Sequence, residues 1–330
     1  MIPPIGGKST PIDISSISSS SWQSSLSQAA NTNQPQHQYN ASGLFGPSGG
    51  PRPDDVVQGP IGDCYFVAAL ASFAQQQPQL IRNAIAFDAN TGNFNVTLYK
   101  DAQPWNPFNR HEQVTVQVTQ QEIANHIAND KGARQGPEGA LWPVVMETAR
   151  AKMLDSNPRN GLDEGYNALE HQTPFGLLPG GMPSSAMETI SGQPGSTAYT
   201  TPLGIFGDAT QGPLQPWLTL VSPGQALAPE AANHHYSQVK AALEDGRPVT
   251  LGTGLSGPQD GLIRGHAYQV EDIQRNADGS VNVTVRNPWG TNRDVGEGTN
   301  AADPRVTIRM GAAGLSLFAI GPSAQETGVG

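Results

Sequence analysis

The chain has 330 residues and sets 18 lysines and arginines against 28 aspartates and glutamates, for a net charge of -10. That balance disfavours a general binder of nucleic acid or anionic membrane, and the single cysteine excludes both an intrachain disulfide and a four-cysteine zinc site. No apolar run approaches the roughly 20 residues of a membrane-spanning helix, and the N-terminus lacks the basic-then-apolar order of a secretory signal, so no membrane insertion is expected.

Residues 1–50 hold twelve serines and only two charged side chains, Lys8 and Asp13, with a Gln/Asn/Pro tract near residue 35. Such a segment buries too little apolar surface to offset its ordering entropy, and disorder is expected. Two readings stand for it: an inert tail, or an address, because a flexible serine-rich N-terminus resembles the export signals of bacterial effectors. After it, Phe66, Leu70 and Phe73 fall on one helical stripe beginning at or near Cys64. Asn93–Tyr99 and Gln113–Val118 alternate like strands, and Thr119 with Glu122 reads as a helix start. Asp88–Asn93 has the look of a calcium loop but lacks an acidic ligand at its twelfth position, where Tyr99 stands, and is read as a hairpin turn.

Leu141, Val145, Ala149 and Met153 line a second helix. Pro174–Pro229 is nearly uncharged and rich in Gly and Pro; it is read as an irregular crossing whose Leu177, Leu178, Ile205, Phe206, Trp217 and Leu218 must be buried. His234–Asp245 is a short helix, and His234 and His235 are taken as exposed residues at its start, there being no third metal ligand nearby. The rest is β: Val249–Leu251, Ala267–Ile273, Ser280–Arg286 and Arg305–Met310.

Cys64 stands where a helix begins, and there the dipole and unpaired N–H groups favour a thiolate. Taken alone, a buried structural thiol is the commoner outcome. Gly265-His266-Ala267-Tyr268 opens a strand and Val285-Arg286-Asn287-Pro288-Trp289 closes another, around a turn at Asn276–Gly279. If Asp278 and Gly279 are the central turn pair, His266 faces position 291 and shares a sheet face with Asn287. An imidazole held by a carboxamide is the base a thiol nucleophile requires. Gln58, across the Gly59-Pro60-Ile61-Gly62 bend, can offer an amide to an oxyanion beside the Cys64 N–H. Asp63 is left with two readings, a helix cap or a charge opposing the thiolate.

The segment Gln58–Leu70 resembles the active-site segment of the calpain family of cysteine proteases, whose pattern runs Gln-Gly-x-Leu-Gly-Asp-Cys-Trp-Phe-Leu-Ala-Ala. The His266 and Asn287 segments match that family's Gly-His-Ala-Tyr and Arg-Asn-Pro-Trp-Gly blocks, and weaker similarity covers Leu141–Lys152, Tyr166–Leu169 and Pro304–Ile320. The resemblance spans about residues 50–322. It implies Cys64 as nucleophile, His266 as base, Asn287 as orienting residue and Gln58 as oxyanion donor, with Trp289 and Gly265 lining the substrate cleft. Two departures stand out: Tyr65 replaces a tryptophan, and Thr291-Asn292-Arg293-Asp294 replaces the acidic and aromatic residues tied to a calcium site in animal members.

The expected fold is therefore α+β, papain-like and two-lobed. A disordered tail would occupy 1–50, a helical subdomain with Gln58 and Cys64 would occupy 51–200, and a β-rich subdomain with His266 and Asn287 would occupy 201–330. The expected function is a calpain-like cysteine endopeptidase acting on protein substrates through an acyl-enzyme thioester, as a monomer, in the cytoplasm or exported by a non-classical signal. No cofactor is expected to be required; calcium is the one ion left open, and Asp54 and Asp55 are read as an exposed acidic turn. Two alternatives stay open: transglutaminase-like acyl transfer, which generally uses a carboxylate where this chain has Asn287, and a non-catalytic binding module.

Overall fold

The structure is a computed structural model that describes residues 38–100, 112–156, 161–172, 180–200, 227–255, 261–293, 301–311 and 314–329. The centre of the fold is the helix Cys64–Gln76. Every side chain from Tyr65 to Ala74 is buried, which removes the usual solvent face and makes the helix a partition between two bodies of structure. Its alanines at 68, 69, 71 and 74 keep part of that surface thin enough for other elements to approach closely. Phe66, Leu70 and Phe73, all fully buried, each contribute about 1.5–3 kcal/mol by leaving water.

Around one side of this helix pack the short helices Ala41–Leu44 (α1) and Pro78–Ala84 (α3), the central helix being α2. A small antiparallel sheet follows, of Ile85–Phe87 (β1), Phe94–Tyr99 (β2) and Gln113–Val118 (β3), in the order β1-β2-β3. Asp88 closes the β1–β2 turn by accepting from the Asn90 N–H (2.9 Å) and the Thr91 hydroxyl (2.8 Å), so this segment is the hairpin turn expected. The helices Gln120–Ala128 (α4), Trp142–Leu154 (α5), Asp163–Glu170 (α6) and Pro183–Ser191 (α7) complete this part. The Thr119/Glu122 signal is a full capping box, each side chain taking the other's backbone N–H.

On the other side lies a six-stranded antiparallel sheet. Its strands are Ser196–Tyr199 (β4), Val249–Thr253 (β5), Ala267–Arg275 (β6), Val281–Arg286 (β7), Arg305–Arg309 (β8) and Leu315–Ile320 (β9), in the order β4-β9-β5-β6-β7-β8. The helix Pro229–Glu244 (α8) covers one face of it; a last turn, Ala324–Thr327 (α9), ends the described chain. Two hydrophobic clusters result, one running from Leu44 to Ile190 with Ala267, Leu317 and Ala319 added, the other drawn from Leu227 to Ile320. The architecture is the α+β arrangement expected.

Polar bonds stitch the two together along α2. Ser72 Oγ donates to the Val249 carbonyl (2.8 Å), and Gln77 Nε2 donates to the carbonyls of Pro322 (2.7 Å) and Gly246 (3.1 Å). Arg286, among the largest fully buried side chains, donates through Nη2 to the Val56 carbonyl (2.9 Å) and through Nε to Asp54 (3.1 Å).

Four expectations are corrected. Residues 38–50 are not tail: Leu44 is buried, Tyr39 and Phe45 pack on the core, and the Leu141 N–H is bonded to the Leu44 carbonyl (3.0 Å). The supposedly irregular crossing contains α7 and β4, and β4 hydrogen-bonds β9, so the second sheet begins before residue 200; Leu177, Leu178, Ile205, Phe206, Trp217 and Leu218 lie outside the described residues. The helix placed at His234 begins at Pro229, and His235 is buried with its ring 5.7 Å from that of Phe318. Asp55, finally, is no exposed acid: it is buried, accepting from the Trp142 indole (2.8 Å) and the Arg52 N–H (2.9 Å).

Candidate active site

Cys64 is the first residue of α2 and lies half-buried in the wall of a groove of about 510 Å³. Gln58, Gly265, His266 and Trp289 line the same groove, so with Cys64 five of the six residues singled out from the sequence line it directly. The sixth, Asn287, is fully buried behind His266. Arg134 and Thr291 line it as well. The two walls are held in register by the Gln58 N–H, which donates to the Pro288 carbonyl (2.8 Å) across the groove.

His266 enters from the start of β6. Its backbone is clamped to β5: the His266 N–H donates to Thr253 Oγ1 (3.0 Å), while the Thr253 N–H donates to the His266 carbonyl (3.0 Å). Gly265 turns the chain into this position with a φ of +60°, in the left-handed region where a side chain is disfavoured. The ring Nε2 lies 3.0 Å from Asn287 Oδ1. An amide oxygen only accepts, so Nε2 carries the hydrogen and Nδ1 keeps a free lone pair. Asn287 is itself oriented: its Oδ1 also accepts from the Trp289 N–H (3.1 Å), and its Nδ2 donates to Asn292 Oδ1 (3.2 Å). Asn292 is anchored in turn by donating to the Asp303 carbonyl (2.7 Å). The Trp289 and Tyr268 rings close over the imidazole, each 4.9 Å away centre to centre.

That His266 and Asn287 share a face depends on one extra residue. The β6–β7 loop is centred on Asp278, with Arg275 opposite Val281 and Asp272 opposite Thr284. Continued unbroken, that register would set Asn287 against residue 269, three residues from His266 and on the other face of the sheet. Between Val270 and Asp272 the register shifts, leaving Glu271 as an unpaired bulge residue. Beyond it Gln269 faces Arg286, Asn287 comes level with 268, two residues from His266, and both side chains project the same way. The parity expected from the sequence is correct, but it is reached by this bulge and not by a turn centred on Asp278-Gly279.

Burial pushes the Cys64 thiol up to about 12, opposed by hydrogen bonding from the Ala267 N–H and reinforced by the charge of neighbouring Asp63. Burial likewise lowers His266 to about 4, opposed by the bond to Asn287. Both groups are thus uncharged in the empty groove. Passing the thiol proton to the imidazole creates two opposite charges at once, each of which offsets the desolvation of the other.

The calpain family cysteine protease profile matches residues 8–301, most of the chain. The chain belongs to the calpain family of cysteine proteases. It is 24% identical over 263 residues to the calpain-type cysteine protease DEK1 of Zea mays, covering 80% of this chain and 10% of that protein. It is also 24% identical over 273 residues to a thiol protease of Porphyromonas gingivalis, covering 81% of this chain and 50% of that protein. The chain therefore spans between about a tenth and a half of the length of these relatives. Among the described residues of this calpain-family chain, no helix is long and apolar enough to cross a membrane.

Sequence reasoning missed two elements of the site. Asn292 was noticed only as a departure from an acidic pattern, although an amide five residues after Asn287, across the turn at Gly290, is a natural partner for it. Asp63 does one of the two things expected of it: its side chain makes no capping bond to α2, being fully buried and turned inward toward Glu147 of α5, but its charge does oppose the Cys64 thiolate. The carboxylates of Asp54 and Asp55 do not fit a calcium ion either, since Asp54 is taken by Arg286 and Arg305 (2.9 Å) and Asp55 by the donors already named.

Proposed function

We propose that the chain is an endopeptidase that cleaves internal peptide bonds of protein substrates through a thioester on Cys64. The reading rests chiefly on one observation: a half-buried thiol at a helix N-terminus shares a groove with an imidazole whose Nε2 is held at 3.0 Å by a buried, fully oriented carboxamide. His266 Nδ1 takes the thiol proton as Sγ attacks the substrate carbonyl carbon. The resulting oxyanion is met by the Cys64 N–H and the Gln58 amide, whose Nε2 is steadied by donating to the Ile61 carbonyl (2.8 Å). The imidazolium then protonates the leaving amine, the C–N bond breaks, and water, deprotonated by the same imidazole, hydrolyses the thioester to release the acid and regenerate the thiol. Trp289, over His266, shields this exchange from bulk water.

Arg286, Gln58 and α2 join the two walls of the groove, and Asp54 and Asp55 are already taken by protein donors. On this reading Asp54 and Asp55 hold no calcium ion, and hydrolysis is expected to persist in chelator. The test is cleavage of an unstructured protein such as casein by full-length chain, by Cys64→Ala, and by full-length chain in excess chelator. Full activity in chelator and none in Cys64→Ala, with an unchanged melting temperature, is the expected pattern. Cleavage by Cys64→Ala at the original rate would refute the assignment, and cross-linked or deamidated product without cleaved peptide would replace hydrolysis by acyl transfer.

A further inference from the structure

Asp63 and Glu147 are both fully buried beneath the residue that opens α2, close enough that each perturbs the ionisation of the other. Neither has a lysine or arginine partner among the described residues. Glu147 Oε2 is committed: it accepts from the Ala133 N–H at 2.6 Å, against a stretch of backbone so close that a Cβ on Gly132 would stand 2.0 Å from that oxygen. Glu147 Oε1 and both Asp63 oxygens have no donor if both groups are written as carboxylates. Two unsatisfied like charges in one dry site are not a state a fold retains.

The groups that face the pair do not supply the missing charge. His126 of α4 approaches Glu147 Oε2 at 3.5 Å, but its Nε2 lies 2.7 Å from the Ala133 carbonyl, which only accepts, and its Nδ1 lies 2.5 Å from the Tyr166 hydroxyl. The ring is thus a neutral donor–acceptor, in keeping with the lowering that burial imposes on it. From α6, Tyr166 is uncharged and Glu170, which accepts from the Gly62 N–H (3.2 Å), adds only negative charge. Arg150, farther along α5, reaches Gln172 (3.4 Å). Gln58 is the remaining neighbour; it is uncharged, and its Nε2 donates to the Ile61 carbonyl (2.8 Å).

We propose that Asp63 and Glu147 share a single proton, and that this carboxyl–carboxylate pair is the positioning device that holds the first turn of α2 in the geometry the groove requires. Glu147 carries the proton on Oε1 and donates it to Asp63, whose backbone carbonyl accepts the Phe66 and Val67 N–H groups of the first turn of α2 (2.8 and 3.2 Å). One hydrogen removes the orphan on Glu147 and supplies Asp63 with a donor. It also limits the negative charge next to Cys64 to one unit. Desolvation raises Asp63 to about 6 and Glu147 well above the usual carboxylate range, consistent with a pair that keeps its proton at neutral pH. Loss of that proton at high pH puts a second charge under the thiol and breaks the link between α2 and α5. Asp63 and Glu147 act through the first turn of α2 and Cys64, so the positioning role rests on the function proposed above.

The test has two arms. Infrared spectra of the Cys64→Ala chain at pH 7 should show a protonated-carboxyl C=O band that resists exchange in D2O and vanishes on adding E147Q; its absence before that substitution overturns the proposal, whatever the chain's activity. In the second arm the rate of Cys64 alkylation by a thiol-reactive epoxide is followed against pH. The unsubstituted chain should lose rate as the pair loses its proton, E147Q, whose amide replaces the O–H donor, should hold its rate through that range, and E147A should be slower by roughly tenfold or more at every pH. An unchanged alkaline loss in E147Q, or E147Q as slow as E147A, overturns the positioning role. No alkylation in any variant with the infrared band intact would overturn the peptidase reading and the positioning role with it, leaving the shared proton standing.

Discussion

Replacing Asn287 by alanine removes the acceptor on which the tautomer of His266 depends. Oδ1 takes hydrogens from His266 Nε2 (3.0 Å) and from the Trp289 N–H (3.1 Å), the first from a buried imidazole and the second from part-buried backbone beside the groove. Stranding a buried donor costs about 1–3 kcal/mol, so the fold should lose about 2–4 kcal/mol, with partial relief where water enters the vacated space. The kinetic loss has a separate origin. When the imidazole takes the thiol proton, the bond to Oδ1 becomes charge-assisted, and it gains about 1–2 kcal/mol over its neutral form, a factor of roughly five to thirty in rate. Competition from the tautomer with hydrogen on Nδ1, which cannot act as base toward Cys64, takes the expected fall in kcat/KM to roughly ten- to a hundredfold. The assay is kcat/KM on a quenched fluorescent casein at a temperature well below the variant's melting point. Asn287→Asp supplies the counter-test: it keeps an acceptor and adds a charge that favours imidazolium, so it should restore part of the rate and move the acid limb of the profile to higher pH. A fall of less than about twofold in Asn287→Ala would refute the idea that this carboxamide sets the tautomer.

Deleting Glu271 removes the bulge and turns Asn287 to the opposite face, so ΔGlu271 should lose cleavage altogether, whereas Glu271→Ala, which keeps the bulge and loses only the ion pair to Arg305 (2.9 Å), should stay within roughly threefold of the original kcat/KM; equal activity in the two would refute the parity argument. His266 is held near 4 by burial and would titrate near 6.5 once unfolded, so the unfolded chain binds the extra proton between those values and stability should fall as pH drops from 6.5 toward 4. Urea midpoints across that range check the sign, and a flat or rising midpoint on acidification contradicts it. Arg286→Met keeps the apolar stem but leaves the Val56 carbonyl and Asp54 without their donor, and should lower stability by about 1–3 kcal/mol; an unchanged melting temperature would mean that this guanidinium does not tie the two walls together.

Much of this molecule was legible because the decisive patterns are local. The α2 stripe, the Thr119/Glu122 box and the alternation of Gln113–Val118 each follow from the period of one element, and each occurs where expected. The shared side of His266 and Asn287 was legible too, but by a parity count that the Glu271 bulge makes true and the turn alone would have made false, since a bulge carries no apolar period of its own. What stayed hidden is long-range. Asp63 and Glu147 stand 84 positions apart in a chain whose acidic residues are mostly surface charges, and nothing in either local pattern says that the two carboxyls meet. Gly132 is the one mark they leave, a residue whose missing side chain makes room for Glu147. The catalytic wall is thus specified twice: once by the contiguous Gln58–Leu70 segment, which puts the thiol at a helix start, and once by a distant acid and a distant glycine, which decide how much charge that helix start has to bear.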